Sequence, residues 1–251
     1  MSSLNLWKGK IWEGVYKTFQ DIEISPNPYE SERWVEKQIE EVQKIISSST
    51  TNSFVQPIAI SNDYVLPIVA ALISSKKKEI NILDFGGGLA VTYFPLRKMI
   101  SDEIKVFFKI IENKYLCDIG QKLFSEYDEI YFDSDIPVNQ NFDVIHAGSS
   151  FHYVEKWKDV LQIFISNNPE FIIFSDLPAG DIKTFVTLQN YYENKIPVNF
   201  WNLEEFIEFL NFLGYQLIYK SRIKSNYLEY LKDFPEPYRL DYFSQLIFQK
   251  S

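Results

Sequence analysis

Cysteine and histidine are scarce in this chain of 251 residues. It contains one cysteine, Cys117, and two histidines, His146 and His152. A single cysteine excludes a disulfide within the chain and favours a reducing compartment, and we interpret Cys117 as a buried structural thiol. Because protein metal sites need several ligands at defined spacings, and no such cluster stands out, we expect no metal centre.

The chain is also short of positive charge and of long hydrophobic runs. It has 25 Lys and Arg against 34 Asp and Glu, a net charge of −9. This balance argues against nucleic acid as a partner, because phosphate binding needs a basic surface. The longest apolar stretch, Tyr64–Ile73, is too short for a membrane span, and the N-terminus has no signal-peptide pattern. We therefore expect a cytoplasmic protein whose partner is a small molecule.

Glycine is scarce as well, yet three of the nine glycines are consecutive. Gly86–Gly88 follow an apolar segment, Ile80–Phe85, and a helix-compatible segment follows them. A strand that leads through a glycine turn into a helix leaves unpaired backbone N–H groups at the carboxyl edge of a sheet. Nucleotides bind at such edges.

The spacing of the glycines distinguishes two ligands. A dinucleotide fingerprint, G-x-G-x-x-G/A, needs a small third residue, and counting from Gly86 that position is Val91. The S-adenosylmethionine pattern, D/E-x-G-x-G-x-G, reads Asp84, Gly86, Gly88 and Ala90, so three of its four positions match. We therefore expect S-adenosylmethionine at this turn, with the backbone close to its amino-acid end and a carboxylate near its ammonium.

Alternating strand and helix patterns predict the fold. Four further strands are predicted after the glycine turn: Ile104–Ile111, Ile130–Phe132, Phe142–Ala147 and Phe171–Ser175. This alternation predicts an α/β protein with a doubly wound parallel sheet. A helix from Asn202 that stops at Gly214, followed by two more strands, Tyr215–Tyr219 and Tyr242–Phe248, predicts a seven-stranded, mostly parallel sheet with an antiparallel final strand.

The segment before this sheet is interpreted as an appended cap. Residues 1–79 form the predicted helical and aromatic cap, packed on a cofactor-binding domain of residues 80–251. Apolar spacing predicts one helix over Ser31–Ile46 and another from about Asp63 to Ser74. An aromatic cluster precedes both helices and either packs on the domain or closes over a substrate: Trp7, Trp12 and Tyr16. Two inserts, near residues 178–201 and 222–240, are expected to contact the substrate.

Five segments carry a resemblance to a known family: Trp12–Tyr16, Leu83–Leu89, Phe142–Tyr153, Thr187–Asn190 and Phe212–Tyr215. They are similar to S-adenosylmethionine-dependent methyltransferases often found in gene clusters for surface polysaccharides. The resemblance implies a Rossmann-like class I methyltransferase fold and O-methylation of a sugar or nucleotide-activated precursor of capsule or O-antigen. Two residues depart from it, since Ala90 replaces the last motif glycine and His152 stands where a glutamine is expected.

The candidate cofactor-binding residues follow the predicted strand ends. Glu112 lies 24 residues after Gly88, close to the offset of roughly 20 at which an acidic residue binds a ribose diol. Asp133 follows the third strand, where it would contact the adenine amino group, although a turn explains it equally well. The complete predicted set is Asp84, Phe85, Gly86, Gly87, Gly88, Glu112, Asp133, Ala147 and Gly148.

The acceptor side has one catalytic candidate. His152 follows the fourth strand and is the candidate general base for an acceptor hydroxyl, because imidazole titrates near neutral pH. A helix-capping or core role is the alternative for His152, whereas His146 is expected to pack or to bond to the backbone. The predicted substrate residues are Trp12, Tyr16, Tyr153, Asp176, Gln189 and Asn190.

Two other functions stay open. One is methylation of a nitrogen or a phosphate oxygen in another small nucleotide-linked capsule precursor, which needs no strong base. The other is a non-catalytic S-adenosylmethionine-binding partner protein, which the mismatch at Ala90 leaves open. The sequence does not predict an oligomeric state.

Overall fold

Two sheets organise the part of this protein that the structure describes. The computed structural model describes residues 11–23, 31–50, 64–191, 194–224, 231–232 and 234–251. Strands in these ranges are β1 (Trp12–Tyr16), β2 (Glu79–Phe85), β3 (Lys105–Ile111), β4 (Ile130–Asp133), β5 (Val144–Gly148), β6 (Phe171–Leu177), β7 (Ala179–Gly180), β8 (Phe185–Tyr191), β9 (Asn194–Asn202), β10 (Tyr215–Ile223) and β11 (Phe243–Lys250). Helices in these ranges are α1 (Glu32–Thr50), α2 (Val65–Ser74), α3 (Tyr93–Met99), α4 (Lys114–Leu123), α5 (Trp157–Ser166) and α6 (Leu203–Phe212).

The large sheet has seven strands in the order β10-β11-β6-β5-β2-β3-β4. Five neighbouring strands of this sheet, β6, β5, β2, β3 and β4, are parallel to one another. The last strand, β11, lies antiparallel between β6 and β10. The predicted seven-stranded, mostly parallel sheet with an antiparallel final strand is therefore confirmed.

Apolar side chains on both faces of the large sheet explain its two helical layers. The run Phe171–Phe174 in β6 is buried on both faces, as expected of a central parallel strand. One core cluster joins the sheet to α1, α2, α3 and α4. A second cluster joins the opposite face to α5 and α6. The predicted doubly wound arrangement is confirmed, and it leaves the carboxyl ends of β2, β3, β5 and β6 at one edge.

The small sheet comprises β1, β8, β9 and β7, in that order. β8 and β9 form an antiparallel hairpin, and β1 pairs with the outer edge of β8. Aromatic side chains fill its core, including Trp12, Phe185 and Phe200. The predicted insert at residues 178–201 thus contributes most of this sheet, and Trp12–Tyr16 are a strand of it.

The two predicted N-terminal helices are present within the described ranges. Observed α1 begins one residue after the predicted start and continues to Thr50, and α2 begins at Val65. Trp7 and Asp63 lie outside the described residues. No helix in the described ranges is both long and apolar enough to cross a membrane.

Candidate active site

A cavity of about 550 Å³ opens at the carboxyl edge of the large sheet. The ends of β2, β3, β5 and β6 form one wall, and β8 and β9 of the small sheet form another. Helix α1 contributes Trp34 and Gln38 to the remaining side. The cavity therefore lies between the two sheets, beneath an N-terminal helix.

The glycine turn, Gly86–Ala90, forms the floor of the cavity beside β2. Gly86 has a φ of 65°, and a Cβ there would overlap the side chain of Ser150. A Cβ on Gly87 would lie 2.5 Å from Oδ2 of Asp84. Left-handed backbone at the first position and close approach at the second both require glycine. The predicted turn residues Phe85, Gly86, Gly87 and Gly88 all line the cavity.

The carboxylate of Asp84 is held by the chain's own donors. Nδ1 of His146 lies 2.7 Å from Oδ1, and the hydroxyl of Thr92 donates to Oδ2 at 2.6 Å. Asp84 and His146 are each 1% exposed, although both contribute atoms to the cavity wall. His146 is buried, and it bonds to Asp84 below the turn, while the expected place of Asp84 near a ligand ammonium stays a prediction.

Glu112 faces the glycine turn from the end of β3. Its carboxylate accepts the backbone N–H of Gly88 at 3.2 Å and that of Asn113 at 3.0 Å. Burial raises the pKa of Glu112, and the negative charge of Asp84 adds to this effect, while the two backbone bonds oppose it. The sequence offset thus identified a carboxylate that lines the cavity next to the turn.

The other predicted cofactor residues divide between the cavity and its surroundings. Gly148, at the end of β5, lines the cavity. Ala147 and Asp133 are not among the described residues that line it. Ala147 is buried within β5, and Asp133 forms an ion pair with Lys109 at 3.2 Å.

His152 lines the cavity from a 3₁₀ turn, Phe151–Tyr153, that follows β5. The side chain is buried, and its Nδ1 has no hydrogen-bond partner among the described residues. Burial lowers the pKa of His152 to about 3. Such a ring is a weak base and stays neutral at physiological pH, and the role of His152 as a general base stays a prediction.

Further polar side chains line the cavity beside His152. The hydroxyl of Tyr153 donates to Oε1 of Gln189 at 2.8 Å. Ser149 donates to Asp176 at 2.7 Å, and both residues have left-handed backbone, with φ of 52° and 54°. The predicted substrate residues Trp12, Tyr153, Asp176 and Gln189 line the cavity, whereas Tyr16 and Asn190 are not among its described lining residues.

Several lining residues were missed by the sequence analysis. Trp34 and Gln38 lie four residues apart on α1, so they occupy one face of the helix. Apolar periodicity located this helix and its buried face, but it gave no reason to select the adjacent face. Tyr191 and Phe243 also line the cavity, and their positions depend on pairing in the two sheets. Within the described ranges, no group of three or more His, Cys, Asp or Glu could hold a metal ion.

Comparisons with solved structures show the fold. No protein-family model matches the chain, and no curated protein matches it. An S-adenosylmethionine-dependent methyltransferase from Clostridium acetobutylicum matches with a TM-score of 0.52 and 12% identity, over 86% of this chain and 99% of the other. A Burkholderia thailandensis 1,6-didemethyltoxoflavin-N1-methyltransferase, with bound 1,6-didemethyltoxoflavin and S-adenosylhomocysteine, matches with a TM-score of 0.50 and 12% identity, over 92% and 93%.

The [4+2]-cyclase SpnF also matches, with a TM-score of 0.53 and 13% identity over 91% of this chain and 98% of that one. At these identities the likeness shows a class I methyltransferase fold and no more. Because a cyclase shares this fold, the fold alone does not determine which reaction a protein catalyses.

Proposed function

We propose that this protein is an S-adenosylmethionine-dependent methyltransferase with a small-molecule acceptor. The observation that carries the proposal is the cavity itself, which joins the glycine turn and Glu112 to a second group of aromatic and polar side chains around His152. The first group suits a nucleoside with an amino-acid tail, and the second suits an acceptor. The single cysteine favours a cytoplasmic location.

The donor set around the glycine turn fits the cofactor. Glu112 accepts three N–H groups, from the Gly88 backbone, the Asn113 backbone and the Asn113 side chain. A carboxylate has about four acceptor positions, so one is open to a ribose hydroxyl, and the second hydroxyl would replace the 3.3 Å bond from the Asn113 side chain. The cavity of about 550 Å³ lies within the range of small-molecule sites. When bound, S-adenosylmethionine supplies a methyl group that its sulfonium has already activated. The chain's own residues would then mainly bind the two ligands, align them and exclude water.

For the acceptor we propose, first, the hydroxyl of a sugar or nucleotide-activated precursor. The aromatic side chains of Trp12, Tyr153 and Tyr191 line the cavity and suit stacking on a sugar ring. Buried Gln189 offers an amide for hydrogen bonds to hydroxyl groups. A role in capsule or O-antigen synthesis depends on the sequence resemblance alone.

A nitrogen acceptor is the second candidate, and His152 favours it. An uncharged nitrogen has a lone pair that attacks a methyl group before any proton leaves. It therefore needs no strong base, in agreement with a histidine whose pKa is lowered to about 3 by burial. A solved structure with this fold is named as an N1-methyltransferase, which shows that the fold accommodates such a reaction.

The first test is titration calorimetry with S-adenosylhomocysteine, with NAD as the comparison ligand. We expect S-adenosylhomocysteine to bind and NAD not to bind. Glu112→Gln should weaken binding about 10- to 100-fold, because hydrogen bonds to a charged group contribute about 1.5–3 kcal/mol each. Exposed Glu103 provides the control, since Glu103→Gln should leave affinity unchanged. Binding of NAD in place of S-adenosylhomocysteine would contradict the proposal.

The affinity should also depend on pH through Glu112. Only the ionised carboxylate accepts both ribose hydroxyls, and burial raises its pKa. Affinity should therefore weaken on acidification at a pH above the ordinary glutamate range of about 4.3. The Glu112→Gln variant should lack this dependence.

A screen with isotope-labelled S-adenosylmethionine tests the acceptor. It should include free sugars, nucleotide sugars and small nitrogen heterocycles, with labelled product as the readout. A labelled sugar hydroxyl supports the first candidate, and a labelled nitrogen supports the second. Binding of the cofactor without transfer to any acceptor would favour a non-catalytic binding protein.

A further inference from the structure

A chain of buried polar side chains crosses three central strands below the glycine turn. Asp84 on β2 and His146 on β5 are direct partners in the register of these strands. Nδ1 of His146 lies 2.7 Å from Oδ1 of Asp84, and Nε2 lies 3.3 Å from the hydroxyl oxygen of Ser175 on β6. Each of the three residues is at most 2% exposed.

One tautomer of neutral His146 accounts for both contacts. Nδ1–H donates to the Asp84 carboxylate, and Nε2 accepts the hydroxyl hydrogen of Ser175. Neither contact requires a charged imidazole.

The other oxygen of Asp84 connects this chain to the glycine turn. Oδ2 accepts the hydroxyl of Thr92, just before α3, at 2.6 Å. The same oxygen would lie 2.5 Å from a Cβ on Gly87, so the turn folds directly against the carboxylate. The space between the carboxylate and the turn is too small for even a methyl group, so the position of the carboxylate limits the position of the turn.

We propose that His146 is a positioning residue for the cofactor site, which acts through Asp84. By donating to Oδ1, it fixes the carboxylate on which the glycine turn rests, and so fixes the turn backbone that lines the cavity. This inference depends on the proposed function, because it concerns the cofactor at that turn. It assigns Asp84 to support of the turn and not to direct contact with the ligand ammonium.

Rescue by a variant that keeps a donor distinguishes this role from simple packing. A side chain of similar volume without a donor removes the bond to the buried Asp84 carboxylate, whereas a side chain with a donor in the same place retains it. Neither substitution changes Glu112, the carboxylate on the other side of the turn.

The experiment compares His146→Leu with His146→Asn. Leucine keeps the volume but has no donor, whereas the asparagine amide can donate from nearly the position of Nδ1. The affinity for S-adenosylhomocysteine is measured by calorimetry at pH 7, with thermal unfolding to show that each variant is folded. His146→Leu should bind at least about 10-fold more weakly than wild type, as expected for loss of a hydrogen bond to a buried carboxylate. His146→Asn should stay within about 3-fold of wild type, because it retains the donor.

Each other outcome overturns the inference. Wild-type affinity in folded His146→Leu would show that the donor is irrelevant to the turn. If His146→Leu does not fold, weak binding by folded His146→Asn would show that an amide donor at this position is insufficient. Failure of the wild-type protein to bind S-adenosylhomocysteine would overturn the proposed function itself, and is distinguishable because it precedes any comparison of variants.

Discussion

At the residue scale, the fourth position of the glycine motif carries backbone strain. Ala90 has a φ of 57°, close to those of Gly86 and Gly88, and its side chain is fully buried. Left-handed backbone costs a residue with a Cβ about 1–2 kcal/mol. Ala90 therefore has the backbone conformation typical of the glycine that it replaces in the motif.

Substitution of Ala90 by glycine should cost little stability. Loss of a buried methyl group costs about 0.8 kcal/mol and added backbone entropy costs about 0.5–1 kcal/mol, while relief of strain offsets both. Ala70 in α2 is equally buried and provides the matched control without positive φ. In chemical denaturation, Ala90→Gly should lower the free energy of unfolding by about 1–2 kcal/mol less than Ala70→Gly does. Equal losses would show that the turn stores no strain.

Buried His152 should make the protein sensitive to acid. Its pKa is lowered from 6.5 to about 3 by burial. Below pH 6.5 the unfolded chain binds a proton there and the folded protein does not, so stability falls as the pH falls towards 3. The slope from this one group is up to about 1.4 kcal/mol per pH unit.

His152→Asn removes this titration, and the difference in unfolding free energy between wild type and variant measures it. As the pH is lowered from 6.5 to about 4.5, we expect the wild type to lose more unfolding free energy than the variant. Contributions of the carboxylates cancel in the comparison. A difference that is constant over this range would mean that His152 is protonated in the folded protein.

Site residues differed in how far the sequence could identify them. Glu112 was found because its spacing from the glycines is set by one strand-turn-helix-strand unit. The bond between Asp84 and His146 joins residues 62 positions apart. It exists only because β2 and β5 pair in one particular register, which no local pattern encodes.

At the element scale, α1 joins the core and the cavity. One face carries Val35, Val42 and Ile45, which are buried in the core cluster shared with α2, α3 and α4. The adjacent face carries Trp34 and Gln38, which line the cavity. A Cβ on Gly88 would lie 2.9 Å from Oε1 of Gln38, so this helix packs directly over the glycine turn. The turn is therefore supported from below by Asp84 and covered from above by α1.

Trp34→Ala should weaken binding of S-adenosylhomocysteine about 10-fold, because removal of the indole opens the cavity beside the turn and exposes apolar ligand surface to water. Lys37→Ala, on the exposed face of the same helix, is the control and should bind as wild type. Calorimetry at one pH is sufficient. If both variants bind equally well, α1 packs near the site without covering the ligand.

The strands of the two sheets were not equally predictable. Apolar runs of β2, β3 and β6 identify buried parallel strands without any knowledge of their neighbours. In the small sheet, β9 contains Pro197 and three asparagines, which ordinarily argue against a strand, and β1 is interrupted by Gly14 with a φ of 79°. These strands are held by pairing between distant segments, such as Trp12 with Gln189. The local sequences therefore indicated only an insert for β8 and β9, and only an aromatic cluster of the N-terminal cap for β1.

At the scale of the whole molecule, the two sheets divide the cavity. The glycine turn and Glu112 belong to the large sheet, while Gln189, Tyr191 and Ile196 belong to the small one. The 3₁₀ turn with His152 lies where they meet, because Asn199 of β9 donates to the carbonyl oxygens of His152 and Val154. The proposed cofactor site thus belongs to the large sheet, whereas much of the proposed acceptor site belongs to the small sheet, which has its own core.

Hydrogen exchange can test this division before the acceptor is known. S-adenosylhomocysteine should slow exchange in residues 86–92 and 112–117, because ligand contacts stabilise the turn and the start of α4 against local opening. Residues 185–191 and 194–202 of the small sheet should exchange as in the free protein, as should 215–223 at the far edge of the large sheet. A true acceptor, added second, should then protect the small sheet. Protection of both sheets by S-adenosylhomocysteine alone would mean that the cofactor spans the cavity, and the acceptor would have to enter elsewhere.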